Sequence, residues 1–298
     1  MNLTKLFGAV ALVCSAIGTA QAQELTGTLK KIKDAGMVTM GVRESSPPFN
    51  YAIGGGQYTG YSYEIELKVL EALKQKLGMP DLKHRLLPFT SQNRIALIRN
   101  GTLDFECSST TNNLERQQQV AFSTTIFAIG TRLMTNASSG IKDFTDLKGK
   151  TLVTVAGSTS EKLINTLNVE KQMGMHIIGV PENNQAFLTL QQGRAAAYMM
   201  DDAVLYGARS SAVDTKPWVI VGTPQSYEAY GCMMQKDDKP IKELIDGVIT
   251  SMQKSGEMAK LYAKWFEQPI PPRNVSLDFP MSDAVKQTYA NPNDKAFQ

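Results

Sequence analysis

Apolar residues along the chain follow two alternating patterns, one typical of strands and one typical of helices. Residues 38–42 form a short apolar run that predicts the first strand. Residues 61–77 come next, with Ile65, Val69 and Leu73 on one stripe at helical spacing, and predict an amphipathic helix. Because this alternation continues through the chain, it predicts an α/β fold with parallel strands and crossover helices.

The same two patterns predict the remaining elements. Further strands are predicted at 82–87, 104–108, 151–155, 176–178, 195–200 and 219–221. Further helices are predicted at 93–100, 160–172, 184–192, 202–211, 241–254 and 257–266. The Gly-Gly-Gly of 54–56 predicts a turn, and the Pro- and Asn-rich tail after residue 272 predicts an extended segment over the surface.

Residues 1–22 have the pattern of a signal peptide. Lys5 precedes an apolar run over 6–17, and a small-x-small motif ends at Ala22. The run is shorter than the roughly 20 apolar residues that a transmembrane anchor needs. Cys14 as a lipidation site is the less favoured alternative, because the residue before it is not small. We therefore expect cleavage after Ala22 and export to the periplasm.

Composition narrows the possible functions. After cleavage the 298-residue chain keeps 276 residues, enough for one large or two medium domains. The formal net charge is +3 and falls to +2 without Lys5, and no block of basic residues occurs. This balance argues against a nucleic-acid partner.

Two cysteines remain in the mature chain, Cys107 and Cys232. An even count in an exported protein favours a disulfide, with two buried free thiols as the alternative. The sequence has no CxxC motif and no cluster of His and Cys, so we expect neither a metal nor a cofactor.

Seven short strings contain most of the polar residues that we consider as ligand contacts. They are RESSPPF (43–49), FTSQNR (89–94), LDFECSSTTNNLER (103–116), FST (122–124), GSTSE (157–161), MMDD (199–202) and AYGCM (229–233). In their order and spacing the strings resemble the bacterial periplasmic glutamate/aspartate-binding proteins of ABC importers, over essentially the whole mature chain. The resemblance implies a type II periplasmic-binding-protein fold, with two α/β lobes, two crossover strands and a ligand in the cleft.

The resemblance also implies how the chain is divided. Lobe one would begin at residues 23–127, lobe two would comprise 128–227, and 228–298 would return to lobe one and form the tail. Cys107 and Cys232 would be bridged within lobe one. The expected partners are a glutamate or aspartate ligand and the permease and ATPase subunits of an importer in the inner membrane, with the protein itself a monomer.

Arginine residues suit a ligand with two carboxylates, because the planar guanidinium donates to both carboxylate oxygens at once. Arg43, Arg94 and Arg116 each lie beside small hydroxyl residues. Arg43 also ends the first strand, where open α/β sheets bind their ligands. The alternative is that all three are ordinary surface arginines.

Helix starts and a strand end supply the other candidate contacts. Ser91 and Ser158 are predicted N-caps, and Glu161 would complete a capping box with Ser158. Free N–H groups at such starts favour an anion, although a plain cap is the alternative. Asp201 ends a predicted strand and suits an ammonium group; the alternative is that Asp201 and Asp202 only cap the next helix.

Carried over residue by residue, the resemblance assigns a role to each site residue. The α-carboxylate would be held by Thr111, Arg116 and Thr159, the ammonium by Ser109 and Asp201, and the side-chain carboxylate by Arg43, Ser91 and Arg94. Three arginines against Asp201 and a ligand of net charge −1 would leave a modest positive excess. Where the family has a histidine in this pocket, a gapless count places Asn183. Since an amide can donate or accept, we expect weaker discrimination against glutamine and asparagine.

Two alternatives to transport follow from the same fold. Periplasmic enzymes such as dehydratases share it, so the fold alone does not exclude catalysis. The sequence contains no GxSxG, no HExxH and no Cys near a candidate His, and we therefore expect a binding protein and not an enzyme. A ligand-sensing protein that presents its closed form to a membrane receptor differs from a transport protein only in its partner.

Overall fold

The computed structural model describes residues 24–296. The predicted signal peptide, with Lys5 and Cys14, lies outside them. The helices are α1 (Gly27–Ala35), α2 (Tyr61–Leu77), α3 (Arg94–Arg99), α4 (Leu114–Gln117), α5 (Thr159–Glu170), α6 (Asn183–Gln191), α7 (Asp202–Ser210), α8 (Lys239–Lys254), α9 (Glu257–Tyr262) and α10 (Asp283–Ala290). The strands are β1 (Met37–Val42), β2 (Ser45–Ser46), β3 (Asn50–Gly54), β4 (Gln57–Thr59), β5 (Lys83–Pro88), β6 (Phe105–Glu106), β7 (Thr111–Asn112), β8 (Val120–Phe122), β9 (Phe127–Asn136), β10 (Thr151–Val155), β11 (His176–Val180), β12 (Ala197–Asp201), β13 (Trp218–Val221), β14 (Tyr227–Tyr230), β15 (Met233–Gln235), β16 (Pro269–Ile270) and β17 (Val275–Ser276).

Two sheets form the framework of the fold. The first has the strand order β5-β1-β6-β15-β8, and β1 is parallel to both β5 and β6. The second has the order β11-β10-β12-β9-β14-β7, with β13 also paired to β9, and β10 is parallel to both β11 and β12. The predicted mixture of parallel strands and crossover helices is therefore present in both sheets.

The chain passes between the two sheets along β9 and β14. These strands are antiparallel neighbours, with Ala128 opposite Ala229. After β14 the chain joins the first sheet through β15, which pairs with β6 and β8. The long pairing of β9 with β12 makes β9 part of the second sheet as well.

A cluster of buried aromatic rings surrounds the start of β9 and the end of β14. The Phe127 ring centroid lies 4.9 Å from that of Phe49 and 4.9 Å from that of Phe266. Tyr230 lies 5.1 Å from Phe49 in an edge arrangement. Such pairs contribute about 0.5–1.5 kcal/mol each beyond the burial of their area. The cluster therefore fixes the crossing strands at the point where both sheets meet.

Several predicted elements are confirmed. Helix α2 has the predicted bounds, and Ile65, Val69 and Leu73 on its stripe are fully buried. The helix ends at Gly78, whose φ of +66° is the left-handed conformation that glycine adopts readily. The Gly-rich segment at 54–56 lies at the turn between β3 and β4. The disulfide between Cys107 and Cys232 is present, with an S–S distance of 2.03 Å, next to the paired strands β6 and β15.

The tail differs from its prediction. Instead of remaining extended after residue 272, it forms α10, which Ser282 caps by accepting a hydrogen bond from the Val285 N–H at 3.3 Å. Val285 and Thr288 are the buried residues of this helix. Proline and asparagine flank α10 and conceal the short apolar stripe in the sequence. Helix α1 also has no counterpart among the predicted elements, whereas β9 and β14 correspond to the two crossover strands that the resemblance implies.

No helix within residues 24–296 is long and apolar enough to cross a membrane. The same residues contain no group of three or more His, Cys, Asp or Glu side chains placed to hold a metal ion.

Candidate functional site

A small cavity lies between the two sheets. Its lining residues are Arg43, Ser91, Arg94, Ser109, Thr111, Val155, Ser158, Thr159, Asn183, Met200 and Asp201. All predicted contact residues except Arg116 are therefore in the lining. Their binding of a ligand stays a prediction.

Parallel strands explain why residues far apart in sequence meet at this cavity. Arg43 follows β1, Ser91 follows β5 and Ser109 follows β6, and these three strands run in the same direction in the first sheet. In the second sheet, Thr159 follows β10 and Asp201 ends β12, which is parallel to β10. The carboxyl ends of each set of strands therefore point their loops at one cleft.

Arg43 is a fully enclosed arginine at the end of β1. Its Nη1 donates to Ser91 Oγ at 3.0 Å, and its Nη2 donates to Glu182 Oε2 at 3.0 Å. The guanidinium carbon lies 5.5 Å from the centroid of the Phe89 ring. Within residues 24–296, the buried Nε of Arg43 has no hydrogen-bond partner. Arg43 is thus held in position and still has a donor to offer.

Arg94, the first residue of α3, is the second enclosed arginine. Its Nη1 donates to Thr110 Oγ1 at 3.0 Å. Burial lowers the pKa of Arg94 well below its usual value, and the nearby charges of Arg116 and Arg43 lower it further. Its buried Nε also lacks a partner in the described part of the chain. The charge of the buried Glu106 opposes this lowering. A bound anion would supply the missing acceptor and a further negative charge.

The prediction that Ser91 caps a helix is wrong. Helix α3 begins at Arg94, with Asn93 at its N-cap position, and Ser91 lies in the turn before it. In that turn Asn93 Oδ1 accepts from the Thr90 N–H at 2.9 Å, which closes the turn before the helix starts. The Ser91 hydroxyl is therefore left to accept from Arg43.

The prediction that Ser158 caps a helix is confirmed. Its Oγ accepts from the Glu161 N–H at 3.0 Å, at the start of α5. The Glu161 carboxylate accepts from the Gly157 N–H at 2.8 Å and not from Ser158, so only half of the predicted capping box forms. Helix α5 directs its N-terminal end, with Thr159 as first residue, into the cavity. The partial positive charge of this end favours an anion.

Thr111 and Thr159 approach each other across the cavity, with their hydroxyl oxygens 3.5 Å apart. Both hydroxyls donate to the carboxylate of Glu228, that of Thr159 at 2.9 Å. Arg116 Nη1 donates to the Thr111 carbonyl at 2.8 Å and so lies behind the lining. Burial lowers the pKa of Arg116, while the charge of Glu228 acts in the opposite direction.

Asp201 is buried at the end of β12. Its Oδ1 accepts from Thr131 Oγ1 at 3.1 Å, and its Oδ2 accepts from the Tyr230 hydroxyl. Asp201 makes no cap bond to α7, whereas Asp202 Oδ1 accepts from the Ala203 N–H at 2.8 Å. The capping alternative therefore holds for Asp202 and not for Asp201.

Burial raises the pKa of Asp201 well above its usual value, and the negative charge of Glu228 raises it further. A cation placed beside the carboxylate would reverse both effects. The Asp201 end of the cavity can therefore hold an ammonium group.

Ser109 and Asn183, the last two predicted site residues, form hydrogen bonds with other residues of the protein. Ser109 and Ser46 share a hydrogen bond with 2.7 Å between their hydroxyl oxygens. Asn183, the first residue of α6, donates from Nδ2 to the Ser45 carbonyl at 2.6 Å, and its Oδ1 accepts from the Tyr198 hydroxyl at 2.6 Å. Asn183 keeps one amide hydrogen for a further acceptor.

Two acidic residues were missed in the sequence. Glu182 pairs with Arg43, and Glu228 accepts from Thr111 and Thr159. Glu182 follows the carboxyl end of β11, which is parallel to β10, so the strand-end rule could have found it. Glu228 lies within β14, where nothing in the local pattern separates it from a solvated surface acid. With both included, Glu182, Glu228 and Asp201 balance the three arginines before a ligand is counted, and a ligand of net charge −1 would leave a net charge of −1 in place of the expected positive excess.

Comparison with known proteins adds independent information. A sequence model of the bacterial extracellular solute-binding proteins, family 3, matches residues 38–268. An L-glutamate/L-aspartate-binding protein of Pseudomonas aeruginosa is 52% identical over 276 residues, covering 92% of this chain and 91% of that protein. A glutamate/aspartate import solute-binding protein of Escherichia coli is 49% identical over 300 residues, covering 99% of each.

Solved structures are similar as well. An ancestral arginine-binding protein bound to arginine superimposes with a TM-score of 0.69 at 27% identity, covering 78% of this chain and 98% of the other. A cysteine-binding protein from Campylobacter jejuni gives a TM-score of 0.70 at 22% identity, covering 85% and 98%. At 22% identity, the similarity to the cysteine-binding protein shows a shared fold alone.

Proposed function

This chain belongs to the bacterial extracellular solute-binding proteins, family 3, and we propose that it captures glutamate or aspartate and delivers it to an ABC importer. Its fold is the two-lobed type II fold of periplasmic amino-acid-binding proteins, as the sequence predicted. The family consists of solute-binding proteins, in agreement with the expectation that the chain is not an enzyme.

One observation carries the choice of ligand. Arg43 and Arg94 are both buried in the lining of one cavity, and each has an Nε without a partner in the described residues. Asp201 lines the same cavity, with a carboxylate that burial makes reluctant to ionise. An amino acid with an acidic side chain supplies a carboxylate for the arginines and an ammonium for Asp201.

The proposed roles follow the chemistry of the lining. The side-chain carboxylate binds Arg43, Ser91 and Arg94, and the ammonium binds Ser109 and Asp201. The α-carboxylate binds Thr111, Thr159 and the N-terminal end of α5, with Arg116 supplying positive charge from behind Thr111. Asn183 lies beside the side-chain carboxylate and adds one amide donor.

The remaining assignments belong to the same proposal. The mature protein begins after Ala22 and works in the periplasm as a monomer. Lobe one comprises 23–127 and 228–298, and lobe two comprises 128–227. The passage of the chain along β9 and β14 supports these boundaries. The partners are the permease and ATPase subunits of the importer, as the names of the import relatives suggest.

Titration calorimetry tests this proposal. The mature protein, stripped of ligand by unfolding and refolding, is titrated with each of the twenty amino acids and with simple dicarboxylates. We expect tight binding of glutamate, aspartate or both, and weaker binding of dicarboxylates that have no ammonium group for Asp201. Binding of a cationic amino acid or a sugar, with no heat from either acidic amino acid, would disprove the proposal.

A further inference from the structure

Glu182 lies where it reduces the positive charge of the cavity. Its Oε2 accepts from Arg43 Nη2 at 3.0 Å, and the two side chains are only 13% and 2% exposed. Glu182 stands at the N-cap position of α6 but makes no cap hydrogen bond. Its carboxylate therefore serves Arg43 and not the helix.

The ion pair joins the two sides of the cleft. Arg43 follows β1 of the first sheet, and Glu182 follows β11 of the second. The next residues strengthen the junction, because Asn183 donates to the Ser45 carbonyl and the Asn184 N–H donates to Ser45 Oγ at 2.9 Å. Glu182 is thus held near Arg43 by its own neighbours whenever the lobes meet.

We propose that Glu182 is a specificity-determining residue, which acts through Arg43 to limit the preference for acidic amino acids over their amides. The inference rests on the proposed function, in which Arg43 binds the carboxylate of the ligand side chain. While Glu182 occupies one Nη2 donor, the guanidinium cannot offer its full fork of donors to that carboxylate.

Glu182 weakens the binding of a ligand with an acidic side chain in two ways that hardly affect a ligand with an amide side chain. Its negative charge repels a nearby ligand carboxylate, whereas a neutral amide is hardly affected. Its hydrogen bond also removes a charged donor that a carboxylate would use better than an amide. The Arg43–Glu182 ion pair also contributes to bringing the lobes together. This contribution is the same for both ligands, so it cancels in the ratio of their affinities.

The test is the ratio of dissociation constants for glutamine and glutamate, measured by calorimetry. We compare wild type with Glu182→Gln and Glu182→Ala, and with the matched control Glu115→Gln. Glu115 also forms an ion pair across the cleft, with Lys162, but that pair is largely exposed and lies outside the cavity lining. Because no cap bond is lost, both Glu182 variants should fold, which thermal unfolding verifies.

We expect the ratio to rise about fivefold or more in both Glu182 variants, the usual difference between charged and neutral hydrogen bonds. In Glu115→Gln it should stay within about twofold of wild type. An unchanged ratio in both Glu182 variants, with wild type binding glutamate, overturns this inference alone. Failure of wild type to bind any acidic amino acid overturns the proposed function instead.

Discussion

The hydroxyl group of Tyr230 donates a hydrogen bond to the carboxylate of Asp201, so a strand that crosses between the lobes fixes the acid at the end of β12. Thr131, on the other crossing strand, donates to the second oxygen at 3.1 Å. The Asp201 carboxylate is therefore oriented from both connections between the lobes. Its position depends on their relative placement.

Replacing Asp201 by Asn should strongly weaken ligand binding. The ligand ammonium would lose its counter-charge, and breaking a buried ion pair costs about 3–5 kcal/mol, or more than about 100-fold in affinity. Asp202→Asn is the matched control, because Asp202 lies outside the cavity lining and an asparagine can still accept from the Ala203 N–H. Calorimetry with glutamate measures both variants. Near-wild-type affinity in Asp201→Asn would remove Asp201 from the site.

Ligand binding should release a proton from Asp201. Burial raises the pKa of Asp201 above its usual value in the empty site, and the incoming ammonium lowers it again. Affinity is therefore full above the raised pKa and decreases as pH falls through it. Calorimetry in buffers of different ionisation enthalpy counts the released protons.

The same measurement on two variants isolates the titrating group. Asp201→Asn should show no proton release at that step. Asp202→Asn should behave as wild type, although burial raises the pKa of Asp202 to about 6, because Asp202 does not line the cavity. Proton release that persists in Asp201→Asn would assign the titration to another group.

Asn183→His should increase the preference for glutamate over glutamine at low pH. A protonated imidazole beside the ligand carboxylate adds a charged hydrogen bond, which is about 1 kcal/mol better than the neutral one of Asn183. The ligand raises the pKa of such a histidine, so the gain is complete below its ordinary value near 6.5 and disappears as pH rises through the raised pKa. Glutamate and glutamine affinities between about pH 5.5 and 8 provide the measurement.

Wild type is the control for that profile, because an asparagine has no charge to lose. If the substitution changes neither the selectivity nor its pH dependence, Asn183 does not face the ligand side chain. Its hydrogen bonds to Ser45 and Tyr198 would then be its whole role.

The disulfide should be inaccessible to reductant in the native protein and important for its stability. Cys107 and Cys232 are fully buried, and their sequence separation is 125 residues. Chain-entropy models give up to about 5 kcal/mol for a loop of this length. Thiol labelling should find no reactive Cys107 or Cys232 after unfolding without reductant. The variant with both cysteines changed to Ser should unfold at lower denaturant concentration and with a steeper slope, because its unfolded chain is less compact. An equal midpoint would contradict the prediction.

The local sequence pattern was sufficient to predict elements whose apolar residues and ends are both marked in the sequence. Helix α2 was predicted with its true bounds because its apolar stripe is continuous and glycines, Gly60 and Gly78, flank it. Strand β10 was also correct, since its apolar run ends sharply. The prediction that Ser91 caps a helix failed because two structures compete at residues 90–94, a serine cap and a turn. The turn that Asn93 closes is the one that forms.

The cavity residues came mostly from the resemblance and from the rule that parallel strands end at the same edge. Glu182 follows β11 and was overlooked by this rule, whereas Glu228 lies within β14, where the rule does not apply. Glu182 meets Arg43 across 139 positions of sequence, and Glu228 meets Thr111 across 117. The Arg43–Glu182 contact depends on how the two lobes approach each other, and the Thr111–Glu228 contact depends on the pairing of β7 with β14. No local periodicity encodes either of them.

The side-by-side arrangement of β9 and β14 has a topological consequence. Since Ala128 and Ala229 are register partners, the chain leaves the first lobe and re-enters it at adjacent points, about one strand spacing apart. Everything between them is a single insertion whose two ends already touch. We therefore predict that residues 128–227 can be excised and their ends closed with a short linker, or exchanged for those of a relative, while lobe one keeps its chain path.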